Sequence, residues 1–345
     1  MQLADFSFDL PEGLIARYPA SERTLSNLLV LDKHTGVCEH KKFLNFMDYL
    51  KPNDVLVLND TKVLHALLPA QKETGGKLEI MLERALDENS FLAGIKVNRP
   101  IKEGVKLFVG DLELVADRRV DSFWVIRIIS SGITVDELFT LHGKIPLPPY
   151  MHRVAEGSDE ERYQTVYAKN KGAVAVPSAG LHFDNNMLDK IKKLGVKIVK
   201  VTLHVGAGTY KPVQTDNIKE HKMHSEEVTC SEEAVDEILA AKQLGGRVIA
   251  VGTTVVRTLE TAAKDGKLSS YQGSTDIYIY PGYKFKVIDM LLTNFHLSGS
   301  SLIMLVSALA GRENILSAYN EAIERKYRFF TYGDAMLITD GSYEI

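Results

Sequence analysis

Residues 173–205, AVAVPSAGLHFDNNMLDKIKKLGVKIVKVTLHV, predict the pattern that recurs through the second half of the chain: a strand, a loop, a helix and another strand. Asp184 is a typical N-cap residue for this helix, and Ser231 is one for the next helix. Similar units follow at RVIAV (247–251) and MLLTNFHL (290–297), each ahead of a helical segment. Repeated βα units predict a mostly parallel sheet or barrel.

A second pattern interrupts this α/β region. DVLVL (54–58) predicts a buried strand, whereas residues 63–145 contain several strand-length runs separated by turn signals. KIPLPPY (144–150) is too rich in proline to lie inside a regular element and suits the return of the chain. We therefore predict an α/β main domain formed by residues 1–62 and 146–345, with an all-β domain inserted at 63–145.

The composition is that of an ordinary globular protein, with 345 residues, 45% apolar residues, 25% charged residues and a net charge of -4. This charge argues against a basic nucleic-acid coat. A local basic face, for example around Arg325, Lys326 and Arg328, stays open beside the alternative of a solvated surface. The two cysteines form no CxxC motif, and the sequence shows no leader or membrane-spanning run. We expect a cytoplasmic protein without a membrane anchor.

Five polar clusters each follow an apolar strand, and most precede a helix. They are NDT (59–61), PSAGLHF (177–183), HVGAGTY (204–210), GTTVVR (252–257) and TNFH (293–296). In α/β sheets and barrels, ligands bind at the carboxyl ends of the strands. The five clusters are therefore expected to converge on one cleft.

The histidine-rich segment 201–227 suggests two other kinds of site. HKMH (221–224) and Cys230 have the donor density of a zinc site, but neither HExxH nor paired CxxC spacing is present. GAG (206–208) lacks the third glycine and the following helix of a dinucleotide-binding loop. The segment is best interpreted as a strand that brings His204 to the cleft.

Three histidines, His182, His204 and His296, follow predicted strands, and Asp60 does so as well. A single histidine of this kind is more often structural. Together they favour acid/base chemistry, because imidazole titrates near neutral pH.

An anion-binding helix N-terminus is predicted at GTTVVRTLE (252–260), where Thr253 or Thr254 can cap the helix while free N–H groups face the anion. Arg257 can add a bidentate contact to a carboxylate. The alternative for Arg257 is an ordinary surface pair with Glu260, three residues along the helix.

Nine motifs in order resemble the S-adenosylmethionine:tRNA ribosyltransferase-isomerases of queuosine biosynthesis, over nearly the whole chain. The motifs are DVLVLNDTKV, IPLPPY, ERYQTVYA, AVPSAGLHF, VTLHVGAGTYKPV, EHKMHSE, AVGTTVVRTLE, NFHL and YRFFTYGDAMLI. The resemblance implies a barrel-like α/β main domain with an inserted β-barrel. It also implies transfer of the ribosyl group of S-adenosylmethionine to 7-aminomethyl-7-deazaguanine at the tRNA wobble position, which yields epoxyqueuosine, adenine and methionine.

The same resemblance implies that S-adenosylmethionine is a substrate, that tRNA is the partner, and that no metal, second cofactor or obligate protein partner takes part. The acid/base group is expected to be His204, His182 and His296, with Asp60 orienting the sugar hydroxyls or the acceptor amine. The expected S-adenosylmethionine contacts are Ser178, Gly180, Phe183, Gly208, Thr253, Thr254, Arg257 and Asn294. The expected tRNA or base contacts are Tyr163, Gln164, Tyr210, His224, Glu226 and Arg328.

The chain departs from the family pattern at several positions. His65 and Leu67 stand where the family has proline and arginine, and Ser298 and Gly299 replace proline and a basic residue. These changes keep two alternatives open: a related S-adenosylmethionine-dependent enzyme with another acceptor, and a tRNA-binding protein without catalysis. A histidine-dependent metallohydrolase is a third.

Overall fold

The structure is a computed structural model that describes residues 1–206, 213 and 215–341. Within these residues the chain forms 17 β-strands and seven α-helices, together with short 3-10 segments. The strands are β1 (Asn27–Asp32), β2 (Cys38–Lys42), β3 (Val55–Asn59), β4 (Thr61–Val63), β5 (Leu67–Lys72), β6 (Lys77–Ala85), β7 (Ser90–Val97), β8 (Val105–Val109), β9 (Leu112–Val120), β10 (Phe123–Ile128), β11 (Asn170–Ala173), β12 (Lys197–Leu203), β13 (Glu226–Cys230), β14 (Val248–Val251), β15 (Tyr271–Thr275), β16 (Met290–Asn294) and β17 (Ala335–Thr339). The helices are α1 (Val135–His142), α2 (Asp159–Arg162), α3 (Asn185–Lys193), α4 (Glu232–Gln243), α5 (Thr253–Ala262), α6 (Ser301–Ala310) and α7 (Arg312–Glu324).

The main domain is built on a nine-stranded sheet in the order β15-β13-β12-β3-β14-β16-β17-β1-β2. The central strands β12, β3, β14 and β16 are parallel, as are β17 and β1. The other four neighbouring pairs are antiparallel, so the sheet is mixed and the prediction of a mostly parallel sheet is wrong. Strand β17 runs against β16 because two helices, α6 and α7, rather than one return the chain between them.

The inserted domain is a closed antiparallel barrel in the order β10-β7-β6-β5-β8-β9. Its strands run from Leu67 to Ile128, inside the predicted insertion, and alternate buried and exposed side chains. Leu68, Phe91 and Ile126 are fully buried in the barrel core. The predicted fold class, an α/β main domain with an inserted β-barrel, is therefore confirmed.

Strands β4 and β11 join the two domains. Strand β4 leads into the barrel, and β11 lies after the return, where the two pair in parallel. The strand predicted at AVAV (173–176) is misplaced along the chain: β11 covers residues 170–173 and ends before Val174. Its partner β4 ends at Val63, so no further ladder is available to residues 174–176.

The predicted N-caps of α3 and α4 are confirmed, whereas that of α5 is not. Asp184 caps α3 through Oδ1, which accepts from the Met187 N–H at 2.7 Å, and Ser231 caps α4. Helix α5 begins instead after Gly252, whose φ of 91° favours glycine, and among the described residues no side chain caps it. The prediction that Thr253 or Thr254 is the cap is therefore wrong.

None of the helices in the described ranges combines the length and apolar character that a bilayer span requires.

Candidate active site

A cavity of about 140 Å³ lies at the carboxyl ends of β14 and β16. Residues from four of the five predicted polar clusters line it, including Ser178, Val205, Thr253 and Asn294. The fifth cluster, NDT (59–61), is not among the lining residues. Four of the five clusters therefore converge on one cavity, as the sequence indicates.

Arg257 is the charged anchor of this cavity. It is 6% exposed and forms an ion pair with Glu226, the residue predicted to contact tRNA. Its Nη2 and the Thr254 hydroxyl are buried and have no hydrogen-bond partner among the described residues. The first N–H groups of α5, at Thr253 and Thr254, have no acceptor within the helix. Together these donors suit a carboxylate.

The alternative of a surface pair between Arg257 and Glu260 is wrong, because both side chains are buried and point to different partners. Glu260 accepts from the Tyr283 hydroxyl at 3.0 Å and from the backbone N–H groups of Lys286 and Val287.

A second, larger cavity of about 710 Å³ lies between the barrel and the main sheet. Its lining includes the basic side chains of Lys62, Arg84 and Lys171, together with His204. Glu226 is the one described residue that lines both cavities. A buried carboxylate therefore stands at their junction. We call the first the Arg257 cavity and the second the interdomain cleft.

His204 is the histidine of the interdomain cleft. Its Nδ1 lies 2.8 Å from the Thr61 hydroxyl, which leaves Nε2 as the nitrogen for a ligand. Burial lowers its pKa, while the carboxylates of Glu227 and Asp60 oppose the shift, so the ring is neutral at pH 7. A side chain at Gly172 would lie 2.7 Å from the ring, so only glycine fits beneath it.

Asp60 supports this region without lining either cavity. Its Oδ1 accepts from the Thr202 hydroxyl at 2.7 Å and from the Asn170 amide at 3.0 Å. These bonds fasten β12 to the start of β11. In these positions Asp60 holds the two strands in place and acts on His204 through its negative charge, in place of the predicted direct contact with a sugar or an amine.

His296 lines the Arg257 cavity. Its Nε2 lies 3.1 Å from the Thr293 hydroxyl and its Nδ1 lies 3.2 Å from the Tyr319 hydroxyl. Burial lowers its pKa to about 3, so the ring is neutral at pH 7. Because both nitrogens have partners, His296 is suited to shaping the cavity wall.

His182 lies outside both cavities, in the lining of a small pocket beside Arg23 and Arg328, which does not support its predicted place in the acid/base group. It is 4% exposed, its Nδ1 lies 2.8 Å from the Ser26 hydroxyl, and its ring centre lies 5.0 Å from that of Phe43. It does not line the Arg257 cavity. The 3-10 segment at residues 178–182 turns its side chain into the core instead.

The burial of His182 predicts acid sensitivity. Burial lowers its pKa to about 4, with Asp334 and Asn294 opposing the shift. From about pH 6.5 downward the unfolded chain binds a proton that the folded chain does not, so stability falls by about 3 kcal/mol on approaching pH 4. We expect His182→Gln to lose this part of the pH dependence in urea denaturation between pH 7 and 4. Equal slopes for both proteins contradict the assignment.

Several other predicted contacts are core residues. Phe183 is fully buried edge-on against Phe43, and a side chain at Gly180 would collide with Tyr167. Tyr163 is fully buried and packs on Tyr332. None of these three residues lines the Arg257 cavity or the interdomain cleft, because the local sequence does not reveal which way these side chains turn.

The remaining predicted residues divide by location. Gln164 bonds both backbone groups of Val63, and so holds β4 rather than a base. Asn294 lines the Arg257 cavity, where its amide donates to the Phe330 carbonyl at 2.9 Å. His224 is exposed and lines neither cavity. Gly208 and Tyr210 lie outside the described residues.

The sequence reasoning missed the aromatic wall of the Arg257 cavity. Tyr150 and Phe330 line it with ring centres 4.7 Å apart, and Thr331 lies beside them. Both aromatic residues belong to motifs quoted above, IPLPPY and YRFFTYGDAMLI, but these motifs alone do not indicate that the two rings line a cavity.

Two of the departures from the family pattern serve local structure. The Ser298 hydroxyl accepts from the Phe8 N–H at 3.0 Å, and Gly299 takes a φ of 66° ahead of α6. His65 pairs with Glu160 at 2.6 Å on the rim of the interdomain cleft. Leu67 begins β5 and exchanges backbone hydrogen bonds with Lys144. Among the described residues, no group of three or more His, Cys, Asp or Glu side chains is placed to hold a metal ion.

The fold and the two adjoining cavities define an α/β enzyme with an inserted β-barrel. The family model described as queuosine biosynthesis protein matches residues 3–338, and the chain belongs to this family. The crystal structure of S-adenosylmethionine tRNA ribosyltransferase from Thermotoga maritima matches with 35% sequence identity and a TM-score of 0.57, covering 97% of this chain and 99% of that chain. The predicted family membership, and with it an enzyme of this type, is confirmed.

Proposed function

We propose that this enzyme transfers and isomerises the ribosyl group of S-adenosylmethionine onto 7-aminomethyl-7-deazaguanine at the wobble position of tRNA. The products are epoxyqueuosine in the tRNA, free adenine and methionine. The observation that carries this proposal is the meeting of two cavities at Glu226, because a two-substrate transfer needs a donor site and an acceptor site that touch. Family membership supports the substrate pair.

S-adenosylmethionine is assigned to the Arg257 cavity and its mouth, because a cavity of about 140 Å³ encloses only part of the molecule. Its carboxylate pairs with Arg257 Nη2 and with the N–H groups at the start of α5, where a helix end favours an anion. Tyr150 and Phe330 supply an aromatic wall against which adenine can pack. Because the substrate itself supplies the ribosyl group and its sulfonium acidifies the adjacent carbon, the proposal includes no metal or second cofactor.

The acceptor base is assigned to the interdomain cleft, where the lysine and arginine side chains of a lining with mixed charges can contact phosphates near the base. His204 Nε2 takes the proton from the carbon beside the sulfonium, since its lowered pKa keeps the ring neutral. The imidazolium formed in this way can then protonate adenine as the bond between adenine and the ribose breaks. The acceptor amine must be uncharged when it attacks the sugar.

Mature tRNA and S-adenosylmethionine meet in the cytoplasm, so we place the reaction there, carried out by the chain without a partner protein.

The test is product analysis with purified protein, S-adenosylmethionine and tRNA that carries the aminomethyl precursor. One adenine and one methionine per modified tRNA are expected, with guanine-bearing tRNA as the inactive control. Retention of tRNA without adenine release would indicate a binding protein, and S-adenosylhomocysteine would indicate methyl transfer; either outcome contradicts the proposal.

A further inference from the structure

Three arginines from distant parts of the chain line one small surface pocket of about 20 Å³: Arg23, Arg162 and Arg328. The pocket shares Thr331 with the Arg257 cavity, so the two sites adjoin. We call these side chains the arginine cluster. In a chain with a net charge of -4, such a concentration of positive charge needs an explanation.

Backbone carbonyls orient Arg23 and Arg162 without neutralising them. The hydrogen bonds run from Arg23 to the carbonyls of Leu181 and Glu161, and from Arg162 to those of Ala20 and Ser21, at 2.8–3.2 Å. Burial and the Arg162 charge lower the pKa of Arg23, while the Glu161 charge opposes the shift, so the two guanidinium groups lie close enough to repel each other. Arg162 Nε is also buried without a hydrogen-bond partner among the described residues.

Arg328 has a carboxylate nearby, but that carboxylate is already heavily used. Asp334 lies 3.5 Å from Arg328 Nη2 and accepts hydrogen bonds from both the backbone and the side-chain amide of Asn27. Glu22 also lies in the pocket lining and is exposed, so water screens its charge. The arginine cluster therefore keeps a net positive charge.

From this geometry we infer that the arginine cluster binds a phosphodiester of the tRNA backbone at the mouth of this pocket, beside the Arg257 cavity, since about 20 Å³ holds little more than one water molecule. Guanidinium groups bind phosphate oxygens bidentately, and backbone carbonyls already hold two of the three groups in place. Such contacts set the position of the RNA without reading its sequence. The inference rests on the proposed function, since it names a contact of the same tRNA substrate.

The alternative is that the cluster only fastens residues 18–23 to the body of the protein. Salt dependence separates the two, because a lost phosphate contact changes the slope of log Kd against log salt, whereas a purely structural loss shifts the line without changing its slope. We would measure binding of an unmodified tRNA transcript by fluorescence anisotropy at several KCl concentrations. Arg23→Gln, Arg162→Gln and Arg328→Gln would be compared with Arg162→Lys, which keeps the charge.

One phosphate contact contributes about 0.7–1 to the slope, so each glutamine variant is expected to reduce the slope by up to that amount, and Arg162→Lys is expected to keep the full slope. Arg325→Gln is the matched control: Arg325 lies three residues before Arg328 but bonds Glu321 and does not line the pocket. Its slope is expected to equal that of the wild type. If Arg162→Gln does not fold, Arg328→Gln, which replaces a partly exposed side chain, carries the test.

Unchanged slopes in all glutamine variants overturn the inference. A site for free phosphate would also overturn the inference. In that case inorganic phosphate would stabilise the wild type more than Arg162→Gln, while the tRNA slopes would stay unchanged in all variants. Failure of this inference can be distinguished from failure of the proposed function. Reduced slopes without adenine release from precursor tRNA would keep the phosphate site and reject the reaction, and the reverse pattern would keep the reaction and reject the phosphate site.

Discussion

Arg257→Gln is expected to raise the KM for S-adenosylmethionine about 100-fold and to lower the free energy of unfolding by about 3–5 kcal/mol. The first effect arises because Arg257 Nη2 is the buried cation of the cavity, available to the substrate carboxylate. The second arises because the Glu226 carboxylate, also buried, loses its ion-pair partner. Initial rates and urea denaturation measure the two effects separately.

The double variant Arg257→Gln/Glu226→Gln separates binding from folding. Two amides replace the two charges, so no uncompensated charge stays buried and most of the stability is expected to return. The KM for S-adenosylmethionine is expected to stay high, since the guanidinium is still missing. A single Arg257→Gln variant with an unchanged KM would show that the substrate carboxylate binds elsewhere.

His204→Gln is expected to lower kcat by about 100- to 10,000-fold, the usual contribution of a positioned acid/base group. The affinity for S-adenosylmethionine is expected to change little, because the contacts assigned to its carboxylate and its adenine lie in the Arg257 cavity, whereas His204 meets only the carbon beside the sulfonium. Glutamine can keep the hydrogen bond to Thr61, so a large loss reports proton transfer rather than misfolding.

The pH profile adds a second measurement for His204. Burial lowers its pKa, so the wild-type activity is expected to fall on the acid side of pH 6.5 as the ring becomes protonated. The His204→Gln variant is expected to lack this limb, and added imidazole is expected to restore part of the activity in His204→Ala. Replacement of His34, an exposed histidine, serves as the control. Turnover within about threefold of the wild type in His204→Gln would remove this residue from the mechanism.

Local sequence signals predicted those parts of the fold that depend on neighbouring residues. The cap at Asp184 and the strand at 54–58 depend on a few residues each, and both were found. The strand at 173–176 was misplaced because its length depends on β4, more than 100 residues earlier in the chain. The direction of β17 likewise depends on how the helix pair returns the chain, which periodicity alone does not show.

The same division holds for the site. Arg257 and Asn294 were found because each lies at the end of a predicted strand unit, where ligands gather. His182 and Phe183 share such a position, yet their side chains turn into an aromatic cluster that includes Phe43, far away in sequence. The pairing of Arg257 with Glu226 also joins residues on separate elements, so only the three-dimensional structure reveals that the Glu226 carboxylate borders both cavities.

Isotope transfer tests the central claim most directly. S-adenosylmethionine labelled with ¹⁴C in the ribose is incubated with the protein and precursor tRNA, in parallel with substrate labelled in the methyl group. The ribose label is expected to enter the tRNA in step with adenine release, while the methyl label stays in methionine. Methyl label in the tRNA, or ribose label that never leaves the small-molecule pool, would contradict ribosyl transfer by this enzyme.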